Sequence, residues 1–382
     1  MLIDRRRLLA SLAAAPLAAA PAHAAIRGPD PASAEAVLDA AFAAHAPVGL
    51  AAAVIGRDGL VWAAARGVRR FGDPSPVTAA DRWHLGSNTK AMTAAVFARL
   101  VEQGRARWAM PVAEAFPGLA LDPAWSTATL DDFMRHRAGL TDAAVMGREW
   151  LMTARADPRS LPEQRAAIVA RALGAPPPGE PGRFAYGNAN YVLVGAAIEA
   201  ITGGPWEEAM RIELFAPLGL ASAGFGAPAE GPEGREAPWG HRGAGDQRTP
   251  MPPTHPGADN PAALGPAGTA HMTLADYGRF LAAMMGGAPG WLGPDSLERL
   301  ATPAAGGPPA YACGWGVRTL PWGGAAGPGP VLAHDGSNTM WHCSAAVAPG
   351  RGLAFVAVAN EAAKGAPACQ AVVQGLAATL AV

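Results

Sequence analysis

Two apolar runs, Val48–Ile55 and Leu60–Ala65, flank Gly56-Arg57-Asp58-Gly59. That pattern predicts a β-hairpin whose turn is built of Gly and Asp. Ahead of it, Glu35 to Ala46 carries Ala, Val and Leu at helical spacing. Beyond the hairpin, Ala94, Val96, Phe97, Leu100 and Val101 recur at the same spacing and stop at Gly104. They predict a buried helix with Leu85–Met92 at its start. A mostly helical region with Pro-rich connections extends to about residue 310; within it, Gly224–Gly268 is dense in Gly and Pro and reads as irregular surface loop. The chain then returns to strands over Gly314–Leu320, Val331–Ala333, His342–Ala348 and Leu353–Ala359. An alanine-rich helix over roughly 366–380 closes it. Strands at both ends with helices between predict an α+β (α/β) fold. One sheet is assembled from about 25–85 and 310–382, and a helical subdomain of about 86–310 covers one side.

The helix start at residue 87 carries the first candidate chemistry. Ser87 stands three residues before Lys90, which places both on one helical face. The chain holds 30 Lys+Arg, yet only Lys90 and Lys364 are lysines. Arginine stays charged at working pH, whereas a desolvated lysine can shed its proton. A lysine written at Ser+3 in an arginine-rich chain therefore points to proton transfer. To serve as a neutral base at pH 7 its pKa must fall about 3 units, near 4 kcal/mol of differential solvation.

A second station follows the rigid turn Pro176-Pro177-Pro178-Gly179-Glu180-Pro181-Gly182, which delivers Tyr186-Gly187-Asn188. A phenol beside a lysine can exchange a proton with serine, and the Asn188 amide can bind a substrate carbonyl while touching the lysine. The third is His334-Asp335-Gly336-Ser337 at the mouth of a strand pair. Gly336 is expected to let a substrate backbone approach closely, and the Ser337 N–H to pair with that of Ser87 around an oxyanion. His334 is expected to hydrogen-bond Tyr186 or the substrate.

With a net charge of −1 and no basic field, the chain gives no reason to expect nucleic acid as a partner. Asp4-Arg5-Arg6-Arg7-Leu8-Leu9, an Ala/Leu stretch and Ala22-His23-Ala24 read as a targeting segment over residues 1–24. The paired arginines resemble a twin-arginine export signal, so a periplasmic or secreted enzyme without stable membrane insertion after cleavage is expected. Cys313, Cys343 and Cys369 fit no zinc knuckle or Cys-x-x-Cys site and read as small buried hydrophobes, with one disulfide left open. His334, Asp335, His342 and Cys343 match no zinc spacing either, so no metal is expected. The Gly-x-Ser-x-Gly elbow, His-Glu-x-x-His and the Gly-Lys-Ser/Thr phosphate loop are all absent.

The order Ser87-x-x-Lys90, Tyr186-x-Asn188, His334-x-Gly336 resembles the penicillin-recognising serine hydrolases, closest to the branch of class C β-lactamases, DD-peptidases and esterases. His136-Arg137-Ala138-Gly139-Leu140 is similar to that family's His-Thr-Ser-Gly-Leu. Pro217–Leu220, Ala267–Ala270 and Asp276–Phe280 fall where other family blocks lie. The resemblance implies a central antiparallel sheet with flanking helices and a helical subdomain. It also implies an acyl-enzyme on Ser87, with Lys90 and Tyr186 sharing the proton, Tyr186 aided by His334 in deacylation, and no cofactor. The substrate would be a small ester, amide or peptide. A slowly acylating sensor carries the same motifs. Two departures stand out. Arg137 replaces a small residue, and the Lys-Thr-Gly of many β-lactamases is His-Asp-Gly here. An Asp335 carboxylate facing the cleft would repel a substrate carboxylate by roughly 3 kcal/mol at 5 Å and an effective dielectric near 20.

Overall fold

The structure, a computed structural model, describes residues 28–243 and 245–380. The targeting segment expected over 1–24 lies outside them. The strands are β1 (Gly49–Gly56), β2 (Gly59–Gly67), β3 (Arg82–His84), β4 (Gly224–Phe225), β5 (Gly240–Arg242) and β6 (Thr249–Met251). After them come β7 (Ala270–Thr273), β8 (Gly316–Gly324), β9 (Gly327–Ser337), β10 (His342–Ala348) and β11 (Leu353–Ala359). Six of them form one antiparallel sheet in the order β2-β1-β11-β10-β9-β8, drawn from both ends of the chain.

Near-continuous apolar runs in β1, β10 and β11 follow from burial on both faces. Leu50, Ala52 and Val54 of β1 face one way, packing with Leu38 and Val372 of the helices Pro31–His45 and Ala362–Ala378. Ala51, Ala53 and Ile55 face the other, toward the large core shared with the helical region. The alternation is the period-2 geometry of a strand. Small residues let the last helix sit close: a Cβ on Gly365 would lie 2.5 Å from that of Ala359.

Some boundaries differ from the sequence expectation for local reasons. The first helix starts at Pro31 because Asp30 caps it, accepting from the Ser33 N–H at 3.0 Å. Strand β9 runs over Gly327–Ser337 rather than Val331–Ala333, since its first half is a Gly/Pro repeat without strand character. The Gly224–Gly268 segment is mostly irregular but contributes β4, which pairs with β7, and the β5–β6 ribbon.

The helical region is tied to the segment beneath the site by Arg165, which is fully buried in the helix Leu161–Leu173. Its guanidinium pairs with Glu199 and Glu207, each at 2.5 Å, and donates to the carbonyls of Ala263 at 3.1 Å and Ala262 at 3.3 Å. Removing one member of such a cluster leaves a buried charge unpaired. Arg165→Met is therefore expected to cost about 3–5 kcal/mol of stability, read as a lower denaturant midpoint at unchanged slope. An unmoved midpoint would contradict it.

Candidate active site

The chain enters the site from β3 through Leu85 and turns at Gly86, whose φ of +53° suits glycine. Ser87 lies in the single 3-10 turn Gly86–Asn88 just ahead of the helix Thr89–Glu102, rather than inside the helix. The turn is pinned from three sides. Thr89 Oγ1 donates to Gly86 O at 2.7 Å, Asn88 Nδ2 to Cys343 O at 3.3 Å, and the Tyr277 hydroxyl to Asn88 Oδ1 at 3.0 Å.

Lys90 is fully buried. Its Nζ has three partners: Ser87 Oγ at 2.9 Å, Asn188 Oδ1 at 2.8 Å and Ala267 O at 2.7 Å. The last two can only accept, so they take two N–H groups and leave the third tetrahedral position facing the serine. Burial lowers the Lys90 pKa from 10.5 to about 7, with Asp142 pulling the other way. Burying the charged form costs about 5 kcal/mol. Because the folded pKa lies below the unfolded one, that penalty is full below about pH 7 and fades as pH rises toward 10.5.

Asp142, which the motif reading did not single out, orients the asparagine. Its Oδ2 accepts from Asn188 Nδ2 at 3.2 Å, which turns Oδ1 toward Lys90, and its Oδ1 accepts from the Ala189 N–H at 2.8 Å. Asp142 opens the short helix Asp142–Val145, two residues past Leu140, where no periodicity marks it as facing the site. Asn188 is itself the first residue of the helix Asn188–Thr202.

Tyr186 sits at the rim, 45% exposed, with Lys90 Nζ 4.9 Å from its ring centroid. Burial pushes its phenol up to about 12, while the Ser87 hydroxyl pulls the other way; solvent at the open face tempers that rise. Behind it, His136 packs 4.5 Å from the Tyr186 ring and 5.0 Å from that of Tyr311. His136–Gly139 forms a backbone ladder with the second-motif loop: Ala185 N–H donates to His136 O, Gly182 N–H to Arg137 O and Gly179 N–H to Gly139 O.

His334 does not hydrogen-bond Tyr186; their rings are 6.1 Å apart. Its Nε2 meets the hydroxyl of buried Tyr311 at 3.0 Å. Burial, with Lys90 adding to it, lowers His334 to about 4, so the ring is neutral near pH 7. Tyr311 escaped the sequence reading because it follows the irregular Gly/Pro stretch 303–309. Arg137 ties that stretch to the second-motif loop, donating to the carbonyls of Gly182, Gly306, Gly307 and Pro309.

Asp335 is turned away from the cleft. Strand alternation places it on the opposite face of β9 from His334, where it accepts from Ser344 Oγ at 2.5 Å and Gln370 Nε2 at 3.1 Å. Burial pushes it up, but hydrogen bonds from His342 and Ser344 prevail and hold it at about 2. The expected repulsion of a substrate carboxylate therefore lapses.

Gly336 abuts the Ser87 turn, so the close approach it permits is that of the chain's own backbone rather than a substrate's. A Cβ there would lie 2.1 Å from Leu85 O and 2.7 Å from Ser87 N, and one on Gly86 would lie 2.3 Å from Ser337 N. The two amides foreseen as an oxyanion cradle thus flank one backbone-to-backbone contact. The Ser337 hydroxyl is spent on its own turn, donating to Trp341 O at 2.6 Å. Cys313, Cys343 and Cys369 are buried and free. Among the described residues, no three His, Cys, Asp or Glu side chains converge on a metal position, and no helix is long and apolar enough to cross a membrane.

A family model described as Beta-lactamase matches residues 34–378. Penicillin-binding protein 4 of Amycolatopsis lactamdurans is 32% identical over 184 residues, covering 48% of this chain and 46% of that protein. An unguisins hydrolase of Aspergillus campestris is 26% identical over 333 residues, 83% of this chain and 59% of that protein. The chain thus spans about half the length of these curated relatives. Among solved structures, a D-stereospecific amidohydrolase from Streptomyces is 25% identical with a TM-score of 0.68, covering 91% of this chain and 98% of that one. The D-amino acid amidase of Ochrobactrum anthropi SV3 shares the fold at a TM-score of 0.69 and 21% identity, covering 91% and 96%.

The glycine contact generates a direct test. Gly336→Ala forces β9 off the Ser87 turn by about 1 Å, and a displacement of that size costs on the order of 100-fold in rate. Hydrolysis rates of the folded variant are expected to show that loss, and full activity would contradict the packing described.

Proposed function

The chain belongs to the beta-lactamase family and is a serine hydrolase of that superfamily; from that premise we propose that it cleaves a small ester or amide through an acyl-enzyme on Ser87. The observation that carries this reading is the buried Lys90 amine, bounded by two acceptors and the serine hydroxyl. With its pKa held at about 7, the neutral amine takes the Ser87 proton as Oγ attacks the carbonyl. Tyr186, whose phenol keeps its proton to about 12, passes a proton to the leaving group. The N–H groups of Ser87 and Ser337 receive the developing oxyanion. Water then attacks the acyl-enzyme, giving its proton to the Tyr186 phenolate while the Lys90 ammonium returns its proton to the departing Ser87 Oγ. His334, neutral and bonded to Tyr311, lines the cleft and does not assist Tyr186 through a hydrogen bond.

The substrate class we favour is an ester, amide or short peptide of a D-amino acid. Two things support it: the D-stereospecific amidohydrolase among the similar structures, and the uncharged His334 at the third motif. With no cation there, a substrate carboxylate finds no partner at that position, which weighs against efficient β-lactam binding. Asp335 plays no part in this preference. We further propose export to the periplasm or beyond by the twin-arginine route; Arg5-Arg6-Arg7-Leu8-Leu9 and Ala22-His23-Ala24 support it.

A panel of a p-nitrophenyl ester, a D-amino acid p-nitroanilide and a chromogenic cephalosporin, followed by intact-mass spectrometry, tests the reading. The ester and anilide are expected to turn over through a transient adduct absent from Ser87→Ala, with kcat/KM rising as pH rises through about 7. A persistent adduct without turnover would favour an acylating sensor. Hydrolysis surviving in Ser87→Ala would overturn the mechanism.

A further inference from the structure

Asp259 lies in the irregular segment before β7, outside every motif, yet its carboxylate touches both halves of the site. Its Oδ2 is 2.9 Å from His84 Nε2, and its Oδ1 accepts from Asn338 Nδ2 at 2.8 Å and from the Asn260 N–H at 2.7 Å. His84 is buried. The Gly86 N–H donates to His84 Nδ1 at 3.1 Å, so that nitrogen carries the lone pair and the ring proton lies on Nε2, facing Asp259. One arm therefore runs from Asp259 through His84 to Gly86, the residue before Ser87. On the other arm, Asn338 directly follows Ser337, and its Oδ1 accepts from the N–H groups of Met340 and Trp341, each at 3.1 Å. The Arg155 guanidinium fixes the Asp259 backbone, donating to its carbonyl at 2.7 Å.

We propose that Asp259 is a positioning residue that holds the Ser87 turn, through His84, and the Ser337 turn, through Asn338, at the single spacing their two N–H groups need to receive an oxyanion. The contact between those turns is made by two glycines, Gly86 and Gly336, which offer no side chains to lock it. A carboxylate suits the position because both partners donate. An amide offers one acceptor and turns its own NH2 against the other donor.

This inference rests on the acyl-enzyme reading, and the experiment separates the two. Wild type, Asp259→Asn and Asp259→Ala are titrated with a p-nitrophenyl phosphonate to count reactive Ser87. Then kcat, KM and the Kd of a phenylboronic acid, which mimics the tetrahedral intermediate, are measured per titrated site. The expected result is a fall in kcat of about 10- to 100-fold in Asp259→Ala, a smaller fall in Asp259→Asn, and KM within about threefold. Boronate affinity should fall in step with kcat/KM. A merely structural role would lower the melting temperature and leave kcat per titrated site and boronate affinity within about twofold; that result overturns the proposal, as does a rise confined to KM. Should Asp259→Ala not fold, Asp259→Asn is judged by the same criteria. A wild type that the phosphonate does not label would instead overturn the acyl-enzyme itself, before any variant is read.

Discussion

Everything in this site depends on where three positions around one nitrogen point. Lys90 Nζ meets Asn188 Oδ1 and Ala267 O, two oxygens that can only accept, and Ser87 Oγ. Two N–H groups are committed, so when the amine loses its proton the lone pair has one place to go, toward the serine hydroxyl. Burial lowers the pKa to about 7 and makes that loss available at neutral pH. Charge and direction are thus set together: the same packing that desolvates the amine also aims it.

The three partners arrive from distant parts of the chain. Ser87 comes on a 3-10 turn locked by Asn88 and Thr89. Asn188 opens its own helix and is oriented by Asp142. Ala267 belongs to a short segment fastened to the helical region upstream through the carbonyls of Ala262 and Ala263, which Arg165 holds. The sheet delivers the fourth wall, because β9 presents His334 inward and Gly336 against the nucleophile turn. A helical insertion between strands from both chain ends is the arrangement that lets these segments converge.

How much of this could be read beforehand follows from the residue types involved. Ser87, Lys90 and Tyr186 were legible because lysine and tyrosine are scarce and stand at meaningful spacing. The sheet was legible from its apolar runs, and the helices from their periodicity. Which way Asp335 faces was left open because the strand was read to end at Ala333; a strand continuing through Ser337 sends it to the far face by simple alternation. Tyr311, Asp142 and Asp259 were not found because each acts from irregular chain or a helix end, where no periodicity marks a residue as facing the site. Arg137 was legible as a departure but not as an anchor, since its acceptors are backbone carbonyls that no side-chain pattern reports.

The most direct test uses the rarity of lysine. In protein labelled with 13C at lysine Cε, only Lys90 and Lys364 give signals, and Lys364→Arg leaves one. Following that signal with pH measures the protonation of Lys90 in the folded enzyme. A midpoint near 7 is expected. A midpoint near the ordinary 10.5 would mean the buried amine keeps its charge at neutral pH and cannot accept a proton from Ser87.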